Sequence, residues 1–296
     1  MNDYKKSGFV SPSRQGEKSM RVSIVAAIAA FAWTQAAAQP PPAPAPQSPQ
    51  PRFEEVARFK SDVARQGIAA DAEHFYAVTD EGLAKHEKKT GKLVAEWKGP
   101  KGGPIIHLDS AVIVDGKLYA GHSNYPQEPM TSSVEIWDAA TLQHVGTHSF
   151  GIMWGSNTWI DRHDGAWWVT FANYSRVFGP SQKPYGNTYW TTLVKFDDQW
   201  RWQQAWTYPA DVLKRAEPMS ISGGSWGPDG LLYVTGHDHA ETYALRLPKM
   251  GSVLEVVATY PIKAEGQGIA WDRSDAGVLW MISRKNKEAI AMRMTR

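Results

Sequence analysis

The chain has no cysteine. Disulfides, a thiol nucleophile, covalent haem attachment and iron–sulfur clusters are therefore excluded, and packing alone must hold the fold. Net charge is also scarce: 32 Lys and Arg stand against 30 Asp and Glu. Removing the five bases and two acids of residues 1–38 leaves 27 bases against 28 acids. No basic stripe is visible, so nucleic-acid binding, which rests on Lys and Arg neutralising phosphates, is not expected. Walker-type and dinucleotide glycine motifs are missing from any strand-to-helix context. The longest apolar run, Val22 to Trp33, is too short for a membrane helix, which needs about 20 such residues.

That run has another use. It follows Met20-Arg21, a short basic lead, and precedes the small residues Ala36-Ala37-Ala38, the layout of a secretory signal peptide. Met20 is then a candidate translation start, and an uncleaved anchor is the alternative. Residues 39–51 (QPPPAPAPQSPQP) hold seven of the nineteen prolines, a composition that favours a semi-rigid polyproline spacer. The expected organisation is a signal peptide over 1–38, a linker over 39–51 and one β domain over 52–296. The product is expected in the periplasm or secreted, as a monomer with no membrane span once the signal is cleaved.

What is present is a repeat. Val56-Ala57-Arg58-Phe59 leads to Gln66-Gly67-Ile68-Ala69 and Asp71; Val257-Ala258-Thr259-Tyr260 leads, at the same spacing, to Gln267-Gly268-Ile269-Ala270 and Asp272. Between these copies the pattern loosens into Asp turns followed by bulky pairs: Phe75-Tyr76, Leu118-Tyr119, Trp167-Trp168, Leu232-Tyr233 and Leu279-Trp280. The spacings are 43, 49, 65 and 47 residues. Asp-Gly between apolar runs marks hairpins, and such a period marks four-stranded propeller blades. The reading is an all-β, five-bladed propeller of four-stranded blades. Its first strand, Phe53 to Phe59, stands in for the missing outer strand of the last blade and covers an open sheet edge. The long third spacing is an insertion in two parts: a Gly/Pro loop over 176–186, expected to cover part of the funnel, and a helical turn or two within 209–218.

The string Val134-Glu135-Ile136-Trp137-Asp138-Ala139-Ala140-Thr141-Leu142 resembles the repeat of YVTN-type and quinoprotein-like propellers. The stretch from the first QGIA through His122-Ser123-Asn124-Tyr125-Pro126 resembles exported bacterial propellers labelled cycloisomerase-like. That resemblance implies kinship with lactonising enzymes, which join a carboxylate to a double bond without a cofactor. It matches no catalytic residue of that family onto this chain.

A propeller concentrates its loops around an axial funnel, the default place for a ligand. Loops into the innermost strands supply Gln66, Asp109, Asn157 and Gln267; loops between second and third strands supply His122, Asn124, Asn173, His237 and Arg284. His122 and His237 are the candidate acid/base residues, since imidazole titrates near neutrality; a solvated loop is the competing reading. Arg284 suits a carboxylate, which a guanidinium grips with two bonds. Gln66 and Gln267, matched by the repeat, either contact ligand or join blades. Asp109, between His107 and Ser110, orients a base, binds a cation or ties two blades. No cofactor is called for. Calcium or zinc stays open as an alternative without a ligand set to indicate it, although Asn124, Asn157, Asn173 and Asp238 imitate the amide-and-carboxylate cage of calcium-dependent propeller lactonases.

Two functions follow. One is a cofactor-independent isomerase or lyase of the cycloisomerase or lactonase kind, acting on a small carboxylate or lactone. The other is a non-catalytic propeller that binds a protein or glycan partner in the cell envelope. Fold alone does not choose between them.

Overall fold

The computed structural model describes residues 51–178 and 183–295. The expected signal peptide, nearly all of the linker and positions 179–182 of the inserted loop lie outside the described residues. Among the described residues twenty strands follow one another. β1 (Arg52–Lys60) comes first. The first blade is β2 (Gly67–Ala70), β3 (His74–Thr79), β4 (Gly82–Glu87) and β5 (Leu93–Lys98). The second is β6 (Leu108–Val114), β7 (Lys117–Ser123), β8 (Ser132–Asp138) and β9 (His144–Gly151). The third is β10 (Ser156–His163), β11 (Ala166–Ala172), β12 (Thr192–Phe196) and β13 (Trp202–Thr207). The fourth is β14 (Gly223–Trp226), β15 (Leu232–Thr235), β16 (Glu241–Arg246) and β17 (Glu255–Pro261). The last is β18 (Ile269–Trp271), β19 (Val278–Ser283) and β20 (Glu288–Thr295), completed by β1. Each sheet is antiparallel, and β1 lies along β20 with Arg52 opposite Thr295 and Lys60 opposite Glu288. The five-bladed propeller closed by its first strand is therefore the architecture observed.

The turn chemistry explains the hairpins. Asp115 and Gly116 have φ of 48° and 73°, and Asp164 and Gly165 have 47° and 69°. Two consecutive positive φ values are what a type I′ turn demands, and Asp-Gly supplies them with little strain. The turn aspartate and the aromatic residue that follows it are also bonded. Tyr76 donates to Asp71 at 2.6 Å, Tyr233 to Asp229 at 2.8 Å, and the indole of Trp280 to Asp272 at 3.0 Å. In three of the five blades the repeat thus ties the turn carboxylate to a buried ring, and a buried polar ring atom needs that partner.

Burial falls from axis to rim. Every residue of β2 is buried, whereas β9, an outermost strand, alternates exposed and half-buried residues. Apolar clusters fill the gaps between neighbouring blades. Trp159, Trp168, Trp206 and Trp226 pack between the third and fourth, and Phe75 and Trp280 stack between the first and last. The helix α1 (Ala210–Ala216) buries Val212, Leu213 and Ala216 in the tryptophan cluster.

The two QGIA copies meet at the axis. Gly268 donates its N–H to the carbonyl of Gln66 at 2.8 Å. A Cβ on Gly268 would stand 2.6 Å from Gly67 Cα, so only glycine permits this approach.

Candidate functional site

At one end of the axis the blades leave a cavity of about 410 Å³. Its lining includes Gln66, Asp80, His107, Asp109, Tyr125, Tyr174, Arg176, His237, Gln267 and Arg284. At the other end Asp161, buried, accepts from the guanidinium of Arg273, from Ser225 and from the N–H of Trp226. Only about 10 Å³ of free space remains there. The axis is thus open at one mouth. A second recess of about 350 Å³, on the flank of the first blade beside Glu81, Trp97 and Lys98, holds none of the buried unpartnered polar atoms.

One side of the cavity is acidic. His107 stands just before β6, and Asp80 in the turn between β3 and β4 of the neighbouring blade. The imidazole Nδ1 is 2.8 Å from Asp80 Oδ1, and Gln66 donates to the same oxygen at 2.7 Å. The other imidazole nitrogen, Nε2, is 3.5 Å from Asp109 Oδ2, close enough for charge attraction but outside hydrogen-bond geometry. Tyr125 stacks on the imidazole with ring centroids 4.7 Å apart. Burial works against a charged His107, but Asp109 and Asp80 outweigh it and raise its pKa. Asp109 is 3 % exposed and Oδ2 has no hydrogen-bond partner. Burial pushes its carboxyl up to about 7, against the pull of His107 and with a further push from Asp80. Asp80 stays ionised: burial is outweighed by the bonds from His107 and Gln66, which lower its pKa. The trio thus holds an acid that exchanges its proton near neutrality beside an imidazolium and a fixed carboxylate.

The other side is basic. Arg284 donates to His237 Nε2 at 2.9 Å and to Asp238 at 3.3 Å, while His237 Nδ1 donates to Asp238 at 2.7 Å. Burial and the nearby Arg284 and Arg176 lower the His237 pKa, so this imidazole is neutral and serves as the acceptor of Arg284. Arg176 lies over the ring of Phe178, against the sulfur of Met219, and bonds Tyr125. Among the described residues no ion pair joins Arg176 to a carboxylate.

Of the residues singled out from sequence, His237, Gln66, Asp109, Gln267 and Arg284 line this cavity. The structure places the other four elsewhere. His122 pairs across strands with Leu108 and Ser133. It is buried between Ser133 Oγ, 2.9 Å from Nδ1, and the N–H of Ile106, which donates to Nε2 at 3.3 Å. Burial drives its pKa down to about 4. Asn124 clasps its own loop, donating to Pro129 and accepting from Thr131. Asn157 donates to the carbonyl of Ser133 in the preceding blade, and Asn173 to that of Trp154. Sequence reasoning passed over His107, Asp80 and Arg176 as principals. Their signal was present only as membership of mouth-side loops. Gly223 to Gly227 (GGSWG) also spells the G-x-S-x-G pattern of a nucleophile elbow. Here it opens β14, and Ser225 is bonded to Asp161 at the closed end.

No protein-family model matches the chain, and no curated protein matches it. Among solved structures, the PQQ-bound aldose sugar dehydrogenase of Streptomyces coelicolor aligns with 83% of this chain and 99% of its own, at 10% identity and a TM-score of 0.52. A luciferin-regenerating enzyme aligns with 83% of this chain and 96% of its own, at 10% identity and a TM-score of 0.48. The likeness to the dehydrogenase is one of propeller fold. Among the described residues no helix is long and apolar enough to cross a membrane.

Proposed function

We propose that this propeller is an exported, cofactor-independent enzyme acting on a small carboxylate or lactone in the axial cavity. The observation that carries the reading is Asp109, a buried carboxyl with a free oxygen and a pKa of about 7, facing a cavity that also holds two guanidinium groups. A proton donor poised near working pH and an anion clamp are what reversible lactonisation requires. Arg176 and Arg284 hold the substrate carboxylate, with neutral His237 steadying Arg284. In the lactonising direction a carboxylate oxygen forms a bond to one alkene carbon, and the other alkene carbon takes the proton of Asp109. Asp109 is left ionised and regains its proton from solvent through the mouth. In reverse, ionised Asp109 removes the proton next to the breaking C–O bond, which returns alkene and carboxylate. His107 and Asp80 keep the Asp109 carboxyl placed and its proton affinity set. The cycloisomerase-like resemblance of the sequence agrees with this chemistry.

A panel of unsaturated acids and lactones assayed at pH 7 tests the reading. At least one pair should interconvert above background, and Asp109→Asn should lower kcat by 100-fold or more, as expected for loss of a general acid. Background rates across the panel with wild-type protein would remove the catalytic reading. A binding propeller of the cell envelope would then stand. Its specific support is the apolar rim of the mouth, where Ile152, Met153 and Trp190 are exposed on neighbouring loops joined through Asn173.

A further inference from the structure

Gln66 and Gln267 hold the same place in their repeats, but their side-chain amides have different fates. Gly67 pairs with Val78, so Asp80 stands two positions beyond that partner. Ile269 pairs with Met281, which makes Ile282 the counterpart of Val78 and Arg284 the counterpart of Asp80. In the first blade the Gln66 amide donates to Asp80 at 2.7 Å. In the last blade the corresponding position carries Arg284, a donor with nothing to accept. The Nε2 of Gln267 has no partner, although the residue is 2 % exposed and lines the cavity. The repeat has kept the amide and removed its acceptor.

The backbone adds weight. Gln267 has φ of 70°, a left-handed conformation unusual for a residue with a long side chain. Its N–H donates to the carbonyl of Gly236 and its own carbonyl accepts from Thr235 at 2.6 Å, which hold the turn in place. A strained residue presenting a buried, unsatisfied donor to a cavity is a place where a ligand supplies the missing acceptor.

We infer that the Gln267 amide binds an uncharged carbonyl oxygen of the ligand. The substrate class is thereby narrowed to anions that carry a ketone, ester or lactone carbonyl apart from the carboxylate. This rests on the small-anion reading above. The two guanidinium groups take the carboxylate, and a neutral donor suits a neutral oxygen. A site with a polar group built for one substrate oxygen rejects the analogue that lacks it, because the group is then left unpaired.

The test is equilibrium binding by calorimetry with matched acids: 4-oxopentanoate against pentanoate and 5-oxohexanoate against hexanoate. Wild-type protein should prefer the oxo acids by about tenfold, the worth of one hydrogen bond. In Gln267→Gly the preference should vanish while affinity for the parent acids stays within about twofold. The melting temperature should hold or rise, since glycine accepts the positive φ without strain. Gln267→Asn, which also tolerates that φ, should lose the preference through its shorter reach. Equal wild-type affinity for both members of a pair overturns the carbonyl assignment and leaves the anion reading standing. Binding of neither acid overturns both. A lowered melting temperature with the preference intact assigns Gln267 to packing and overturns the inference.

Discussion

Asp109 and His122 are buried titratable groups in adjacent strands of one blade, and they bend the stability profile in opposite directions. Asp109 ionises near 7 when folded and near 3.8 when exposed, so the folded chain binds the extra proton between those values. Stability from this group is present below about pH 4 and lost as pH rises to about 7. His107, whose pKa is also raised, adds in the same direction, whereas Asp80, with its pKa lowered, adds stability above the unfolded range. His122 ionises near 4 when folded and 6.5 when exposed, so its burial as a neutral ring costs stability as pH falls below about 6.5. Asp109→Asn should therefore flatten the decline from pH 4 to 7 and raise stability at pH 8 by on the order of 2 kcal/mol, read from urea unfolding at pH 5 and pH 8. An unchanged slope would place the titration elsewhere. These two residues also show how far the sequence reaches. It brought both to the mouth end of their blade. The difference between them lies in their partners: His122 bonds Ser133 across β7 and β8 and the N–H of Ile106, whereas Asp109, in β6, lines the cavity beside His107. Asp80 is 27 positions from His107, in the preceding blade, and only the ring geometry brings them together.

At the scale of elements, β1 is held by more than its ladder. Phe59 stacks on Phe75 and Trp280, Phe53 meets Tyr260 edge to face, and Arg58 and Lys60 both pair with Glu288. The exposed ends of those ion pairs contribute little, so the rings carry the attachment. Phe59→Ala should cost about 2 kcal/mol in chemical denaturation, less than a fully buried phenylalanine because Phe59 is only partly covered. Replacing Lys60 by Ala should cost a few tenths. Equal costs would mean that charge, and not packing, fastens the strand. Hairpins, outer strands and this closure were legible because they depend on local turn residues and on a repeat. The course of the inserted loop was legible in part: Arg176 lines the cavity as expected of a mouth-side loop, and its partners Tyr125 and Met219 come from segments that share no pattern with it.

Across the whole molecule the axis is asymmetric. A cavity with charged walls lies at one mouth, and the Asp161–Arg273 pair stops the other. A ligand of the proposed site would therefore enter and leave on one side. Arg273→Ala should lower stability by about 2 kcal/mol, since Asp161 loses its cation but keeps Ser225 and the Trp226 N–H. Affinity for an oxo acid at the mouth should remain within about twofold, the bound expected for sites that share no partner. A large loss of affinity would show that the two ends communicate. The five-fold ring was readable from spacing alone. That the opposite end is closed was not, because the stopper joins Asp161 to Arg273 across 112 positions of sequence.

The pairing of β1 with β20 also sets an order of events. Arg58 finds Glu288 only after 230 further positions have been made. Until then the earliest strand of the fold has an unmatched edge, and so does the final blade. Contacts this distant in sequence are slow to form, and open strand edges invite chaperones, proteases and aggregation. A chain cut short before β20 keeps both edges exposed, and one that carries β20 covers both with that one strand. The clasp thus makes the concealment of both edges depend on one late strand: until β20 is in place, neither edge is covered.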